Sequence, residues 1–215
     1  MTSSDSGHGA APALTAVPDA SAAVPDSTDI DGWQRQVYQT AENSGWVQPG
    51  NRRSVGEDLV LMHDEISELF EQWENHVPVL VQQQSGDKVK PEGLSMEVAD
   101  LAIRLLALAQ TWEVRWTHLV VQARQHLAGH RADPAPPVVR WHLWVSQICR
   151  WWRGNLELSD TVGPMAHNPA WLMALLWADM ERQTQAWGGP DLLEAVRIKD
   201  AYNQTRPWRH GGKRI

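Results

Sequence analysis

At 215 residues, with 42% hydrophobic and 21% charged side chains, the chain can bury one sizeable core and has the composition of an ordinary folded domain. A formal charge of -7 and a pI near 5.7 argue against attachment to nucleic acid or to an anionic membrane through bulk attraction, and leave only a local basic patch at the C-terminus. The single cysteine, Cys149, excludes an internal disulfide framework and fits a reducing cytoplasm, and no apolar run approaches the roughly 20 residues of a membrane span.

Residues 1–30 are mostly Ala, Pro, Ser, Thr, Gly and Asp with little periodicity, and are expected to form a disordered tail. No Lys or Arg precedes Arg35 and no apolar h-region is present, so this tail does not read as a secretory signal. A helix is expected from Trp33 to Ser44, with Trp33, Val37 and Thr40-Ala41 on one side and Gly45 as its stop. Pro49-Gly50 then makes a turn.

Ser54 followed by Glu57 reads as a capping box opening a helix to about Asn75. Its apolar stripe is Leu59, Met62, Ile66, Leu69 with Phe70, and Trp73, while Glu65 and Glu68 fall to one side of that stripe. Val77 to Ser95 reads as a loop, with a short extended piece at Val79-Leu80-Val81. Gly93 or Ser95 opens the next helix, whose stripe is Val98, Leu101-Ala102, Leu105 and Ala109, with Glu97 and Asp100 displaced in the same sense. Each helix therefore carries two carboxylates three residues apart on one face, and side by side the helices would pool four. Four residues after Glu65, Glu68 and Glu97 stand Leu69, Gln72 and Leu101; only Asp100 has a basic residue there, Arg104. Such a pool suits a hard cation such as Mg²⁺, which takes a few carboxylates and shares its shell with phosphates. Periodicity alone leaves open the plainer reading of two amphipathic helices with exposed acids.

Three more helical pieces are expected, Thr111 to Gly129, Val138 to Arg153 and Trp171 to Trp187, separated by Pro134-Ala135-Pro136-Pro137 and by a break at Gly154 to Pro164. Asp191 caps a final helix through Leu192-Leu193, Val196, Ile198 and Tyr202 to Asn203, and a basic coil follows. No strand pattern of any length is evident, so the expected class is all-α, a helical bundle. The 13 Trp, against one Phe and two Tyr, lie mostly between Trp112 and Trp187 and point to semi-buried helix contacts or a binding face.

Glu65-x-x-Glu68 followed by Glu97-x-x-Asp100 resembles the signature of the MazG-like all-α nucleoside triphosphate pyrophosphohydrolases. Lys90-Pro91-Glu92-Gly93 is similar to a segment before the second acidic pair in small members of that family. Lys199-x-x-x-Asn203-x-x-Arg206-Pro207 and the tail from Arg209 to Arg214 resemble its C-terminal helix and tail. The resemblance covers roughly Trp33 to Gln110 and Gly188 to Ile215. It implies Mg²⁺-dependent hydrolysis of a (d)NTP between the α and β phosphates, giving the monophosphate and pyrophosphate, with Mn²⁺ as a substitute metal. It also implies that Glu65, Glu68, Glu97 and Asp100 hold the metal and serve catalysis, that Lys199, Asn203, Arg206 and Lys90 contact the triphosphate, and that the protein is a homo-oligomer, dimer or tetramer. Neither a membrane nor stable nucleic-acid binding is expected.

The Trp-rich stretch from Thr111 to Trp187 departs from the compact relatives. Its plain reading is extra helical packing that enlarges the core or an oligomer interface; a lid or a base-stacking surface is the sharper one. Two rivals stand beside the main reading: a dUTP-, dCTP- or phosphoribosyl-ATP-specific pyrophosphatase with the same ligand set, and a non-catalytic helical adaptor that binds a partner through the Trp-rich stretch. His126-x-x-x-His130 has zinc-ligand spacing but lacks a third ligand. Cys149 is expected to sit among Trp144, Trp151 and Trp152 rather than to act as a nucleophile.

Overall fold

The computed structural model describes residues 29–47, 54–85, 88–130, 132–153 and 168–208. Among these residues the chain forms helices α1 (Ile30–Asn43), α2 (Val55–Glu74), α3 (Leu94–Thr111), α4 (Thr117–Leu127), α5 (Val138–Trp152), α6 (Pro169–Ala186) and α7 (Leu192–Gln204), with strands β1 (Val81–Ser85) and β2 (Lys88–Glu92) between α2 and α3. The class is predominantly helical, as expected. Most of the tail, Pro49-Gly50, the break at 154–164 and the basic residues from Arg209 onward lie outside the described residues.

α1 starts earlier than the pattern indicates. Asp29 caps it, its carboxylate accepting the Gly32 N–H at 2.7 Å, and Ile30, assigned above to the tail, is buried. A lone Ile in a polar run shows no period, yet from the first helical position it shares a face with Trp33 and Val37. α2 opens on the expected capping box: the Glu57 N–H donates to Ser54 Oγ at 3.2 Å and the Ser54 N–H to Glu57 Oε2 at 2.6 Å. Leu59, Met62, Ile66 and Leu69 are buried, but Phe70 and Trp73, expected in the same stripe, are 38% and 36% exposed. They stack on each other, ring centroids 6.2 Å apart, instead of entering the core.

The loop expected between α2 and α3 is instead an antiparallel hairpin, Val81 pairing with Glu92 and Gln83 with Lys90. Its strands are too polar to announce themselves, with Gln at 82, 83 and 84 and Lys at 88 and 90, and Pro91 is tolerated because a two-stranded ribbon has two free edges. Gly93 joins the hairpin to α3 at φ 111°, where an added Cβ would sit 2.5 Å from the Pro78 carbonyl oxygen. That close approach is used: Pro78 O and Val79 O accept the Leu94 and Ser95 N–H groups at 3.2 and 2.9 Å, satisfying amides that open the helix.

α3 is the central element, packed against α1, α2, α6 and α7. It ends at Thr111, and the single piece expected from Thr111 to Gly129 is in fact broken before α4. Neither Gly nor Pro marks the break; Glu113 makes it by adopting φ 54°. α4 and α5 both pack on α6, and α5 also lies against α2. Trp116, Trp141 and Trp177 are wholly buried there. The Trp141 and Trp177 indole N–H groups donate to Asp179 Oδ2 at 2.8 Å and Glu181 Oε1 at 2.7 Å. Asp179, itself fully buried, also accepts from Arg140 at 2.6 Å and pairs with Arg182. One continuous hydrophobic core includes residues of all seven helices.

Candidate metal centre

α2 and α3 lie face to face through their acidic sides. Arg104 Nε donates to Glu65 Oε1 at 2.5 Å, and the Gln72 side-chain amide donates to Glu97. The early residue of α2 thus meets the late residue of α3 and vice versa, so the helices run antiparallel and Glu68 falls between the two crosslinks. One ligand oxygen from each of Glu65, Glu68 and Glu97 lies within 4.8 Å of the others, a grouping that can hold a metal ion. Glu65 and Glu97 are buried, 6% and 4% exposed, while Glu68 is open to solvent.

Asp100, the fourth expected ligand, is not in that trio. Its Oδ2 receives Lys199 Nζ of α7 at 2.6 Å, and the Lys199 side chain is only 5% exposed. The cation expected to meet a triphosphate is thus docked on an acid of α3. Asn203 follows Lys199 one turn further along α7, and Arg206, two residues beyond the end of the helix, holds its guanidinium 5.9 Å from the centre of the Tyr202 ring. Lys90 of β2 pairs with Glu92 of its own strand. The shortage of local counter-charges read from the sequence is partly made up across helices: Arg104 serves Glu65 rather than Asp100, and Lys199 serves Asp100.

The balance stays negative, since four carboxylates face two cations, and the acids register it. Glu97 is pushed up to about 8, by burial first and then by the Asp100 charge. Its place in the first turn of α3 favours the anion through the helix dipole, and burial prevails. Glu65 is raised to about 7, again by burial and then by Asp100, against the pull of Arg104. Glu68 is raised by burial, Asp64 and Asp100. Lys199 is raised even though burial, the largest influence, works to lower it, because Asp100, Glu97 and Glu92 together outweigh that cost. An all-oxygen donor set with two uncompensated charges fits a hard divalent cation.

In the sequence Gln72 is simply a non-basic residue, and its position four residues after Glu68, on the acidic face of α2, is the one mark of its role. His63 of α2 and His142 of α5 meet with their Nδ1 atoms 2.8 Å apart, a pair that no local pattern announces. Both are held below the usual imidazole range, His63 by burial and then by His142, and His142 by burial. The His126 and His130 rings lie 6.3 Å apart, and among the described residues they belong to no three-ligand group. Cys149 is partly buried against the core. No helix among the described residues is long and apolar enough to cross a membrane. No family model, curated protein or solved structure matches the chain.

Proposed function

We propose that the protein is a Mg²⁺-dependent nucleoside triphosphate pyrophosphohydrolase, converting a (d)NTP and water to the (d)NMP and pyrophosphate. The observation that carries this reading is the convergence of Glu65, Glu68 and Glu97 from two antiparallel helices, with two of the three carboxyls buried and short of positive charge. The likeness of the acidic pairs and of the Lys199-Asn203-Arg206 helix to the MazG-like pattern supplies the substrate. Bound Mg²⁺ would neutralise the polyphosphate and acidify a coordinated water.

In this reading Glu65, Glu68 and Glu97 hold the cation. Glu68, the solvent-accessible acid, takes the proton of the attacking water as its oxygen bonds to the α-phosphorus and the bond to the bridging oxygen breaks, releasing pyrophosphate. Asp100 fixes Lys199, so that α7 stays seated beside the acids and presents Asn203 and Arg206 to the phosphates. Within the Trp-rich stretch Trp116, Trp141 and Trp177 are spent on internal packing, whereas Trp151 and Trp152 stay exposed and are what the adaptor alternative would have to use.

The test is incubation with each NTP and dNTP plus Mg²⁺, scoring pyrophosphate against orthophosphate. Pyrophosphate release that Glu68→Ala abolishes in a folded protein is the expected result. Absence of pyrophosphate across the whole panel would refute the activity, and survival of activity in Glu68→Ala would refute the assignment of the acids.

A further inference from the structure

Beside α7, on a different side from Lys199, lies a hollow of about 460 Å³ between that helix and the hairpin. It is lined by Gln82, Val89 and Pro91 from the strands, by Ile198, Ala201 and Tyr202 from the helix and by Thr205 at its C-cap. None of the four acids lines it. Ile198 and Tyr202 share one face of α7 at i and i+4, while Lys199 and Asn203 occupy the neighbouring face, so α7 turns one side to the hairpin and sets Lys199 toward the acids.

The two faces meet at Tyr202. Its ring borders the hollow and lies under the Arg206 guanidinium. A ligand filling this place finds an aromatic ring and aliphatic walls on the inside, one side-chain amide, Gln82, able to donate and accept, and a cation on the rim. Those are the terms on which a planar heteroaromatic ring attached to an anionic group is recognised, and the volume is that of an ordinary small-molecule site. A purely apolar partner would leave the amide and the guanidinium unused.

We infer that the hollow between the hairpin and α7 is the subsite for the nucleobase, with Tyr202 as its stacking surface and Arg206 bridging it to the phosphates. This inference rests on the pyrophosphohydrolase reading for its substrate class and assigns the base to residues outside the acid cluster. It also gives the hairpin a role, since Gln82 and Val89 reach the site only because the chain folds back between α2 and α3.

The experiment measures binding without turnover. Adenosine, guanosine, cytidine, uridine and thymidine monophosphates are titrated calorimetrically into the full chain in EDTA, with ribose 5-phosphate as the ligand lacking a base. The expected result is that at least one nucleotide binds tenfold or more tightly than ribose 5-phosphate, and that Ala201→Trp and Tyr202→Ala each remove the difference. Ala201 lines the hollow yet is exposed, so filling the space from there leaves the core untouched. Equal binding of all nucleotides and ribose 5-phosphate, or an advantage that survives both substitutions, overturns the subsite. So does a change of oligomeric state in Ala201→Trp by sedimentation without a change in nucleotide affinity, which would mark the hollow as a contact between copies. Base-dependent binding lost in both variants, in a protein that releases no pyrophosphate, would sustain the subsite and remove the hydrolase reading alone.

Discussion

Replacing Glu97 by Gln should stabilise the metal-free protein at neutral and alkaline pH. Glu97 is 4% exposed and its hydrogen-bond donor is the neutral Gln72 amide, so the anion is poorly compensated where it sits. Its carboxyl titrates near 8 in the folded chain against 4.5 for an ordinary Glu. A carboxyl raised in this way favours the folded state fully below the unfolded pKa, and the advantage is lost as pH rises toward the folded pKa. Integrating that difference gives a loss on the order of 3 kcal/mol between pH 5 and pH 8. For a chain of this size the loss corresponds to about 6–12 °C in Tm. The amide that replaces the carboxyl keeps its carbonyl oxygen for Gln72 and carries no charge. In EDTA, Glu97→Gln should match the wild type at pH 5 and exceed it by an amount of that order at pH 8. Saturating Mg²⁺ should close most of that gap at pH 8, since a ligand at 100 times its Kd adds about 2.7 kcal/mol to the protein that binds it. Thermal melts at four pH values, with and without Mg²⁺, settle the matter; parallel pH profiles for the two proteins in EDTA would refute the uncompensated-charge argument.

Asp179→Ala strands the Arg140 and Arg182 guanidinium groups and the Trp141 indole, and should cost about 3 kcal/mol in urea unfolding, with no change in metal affinity by titration. Gly93→Ala forces a side chain into a φ of 111° with its Cβ 2.5 Å from Pro78 O; a loss of about 2 kcal/mol or more is expected, together with slower pyrophosphate release, because Glu97 lies in the turn that Gly93 opens. The His63–His142 pair disfavours protonation, so it contributes stability above the ordinary imidazole pKa of 6.5 that is lost as pH falls below it. His142→Gln should flatten the fall in Tm between pH 6.5 and 5.

Helices with strong periodicity or caps were legible in the sequence. The Ser54-Glu57 capping box, the Asp191 cap and the stripe from Leu59 to Leu69 all appear where they were read, because they depend on interactions within one turn or two. The hairpin escaped because a polar ribbon lying on α7 needs no alternating apolar face, and the break before α4 escaped because a single Glu in a left-handed conformation leaves no compositional mark. At the site, the phase of the acidic pairs foretold the meeting of Glu65, Glu68 and Glu97, though not the exclusion of Asp100 from that trio. The choice of partners could not be foretold: Arg104 reaches Glu65 rather than Asp100, and Lys199 is held by Asp100, because both depend on the register between helices far apart in the chain.

α6 is buried over most of its length, from Trp171 to Met180 without a gap, and it touches α3, α4, α5 and α7. A stretch so enclosed is not a detachable module. Excising 111–187 to obtain a minimal version of the protein would lay bare the side of α3 that α6 covers, and α3 carries Glu97 and Asp100 on another of its sides. A trimmed protein would be expected to aggregate or to recruit a second chain onto that scar, so any attempt at miniaturisation must first redesign the surface of α3.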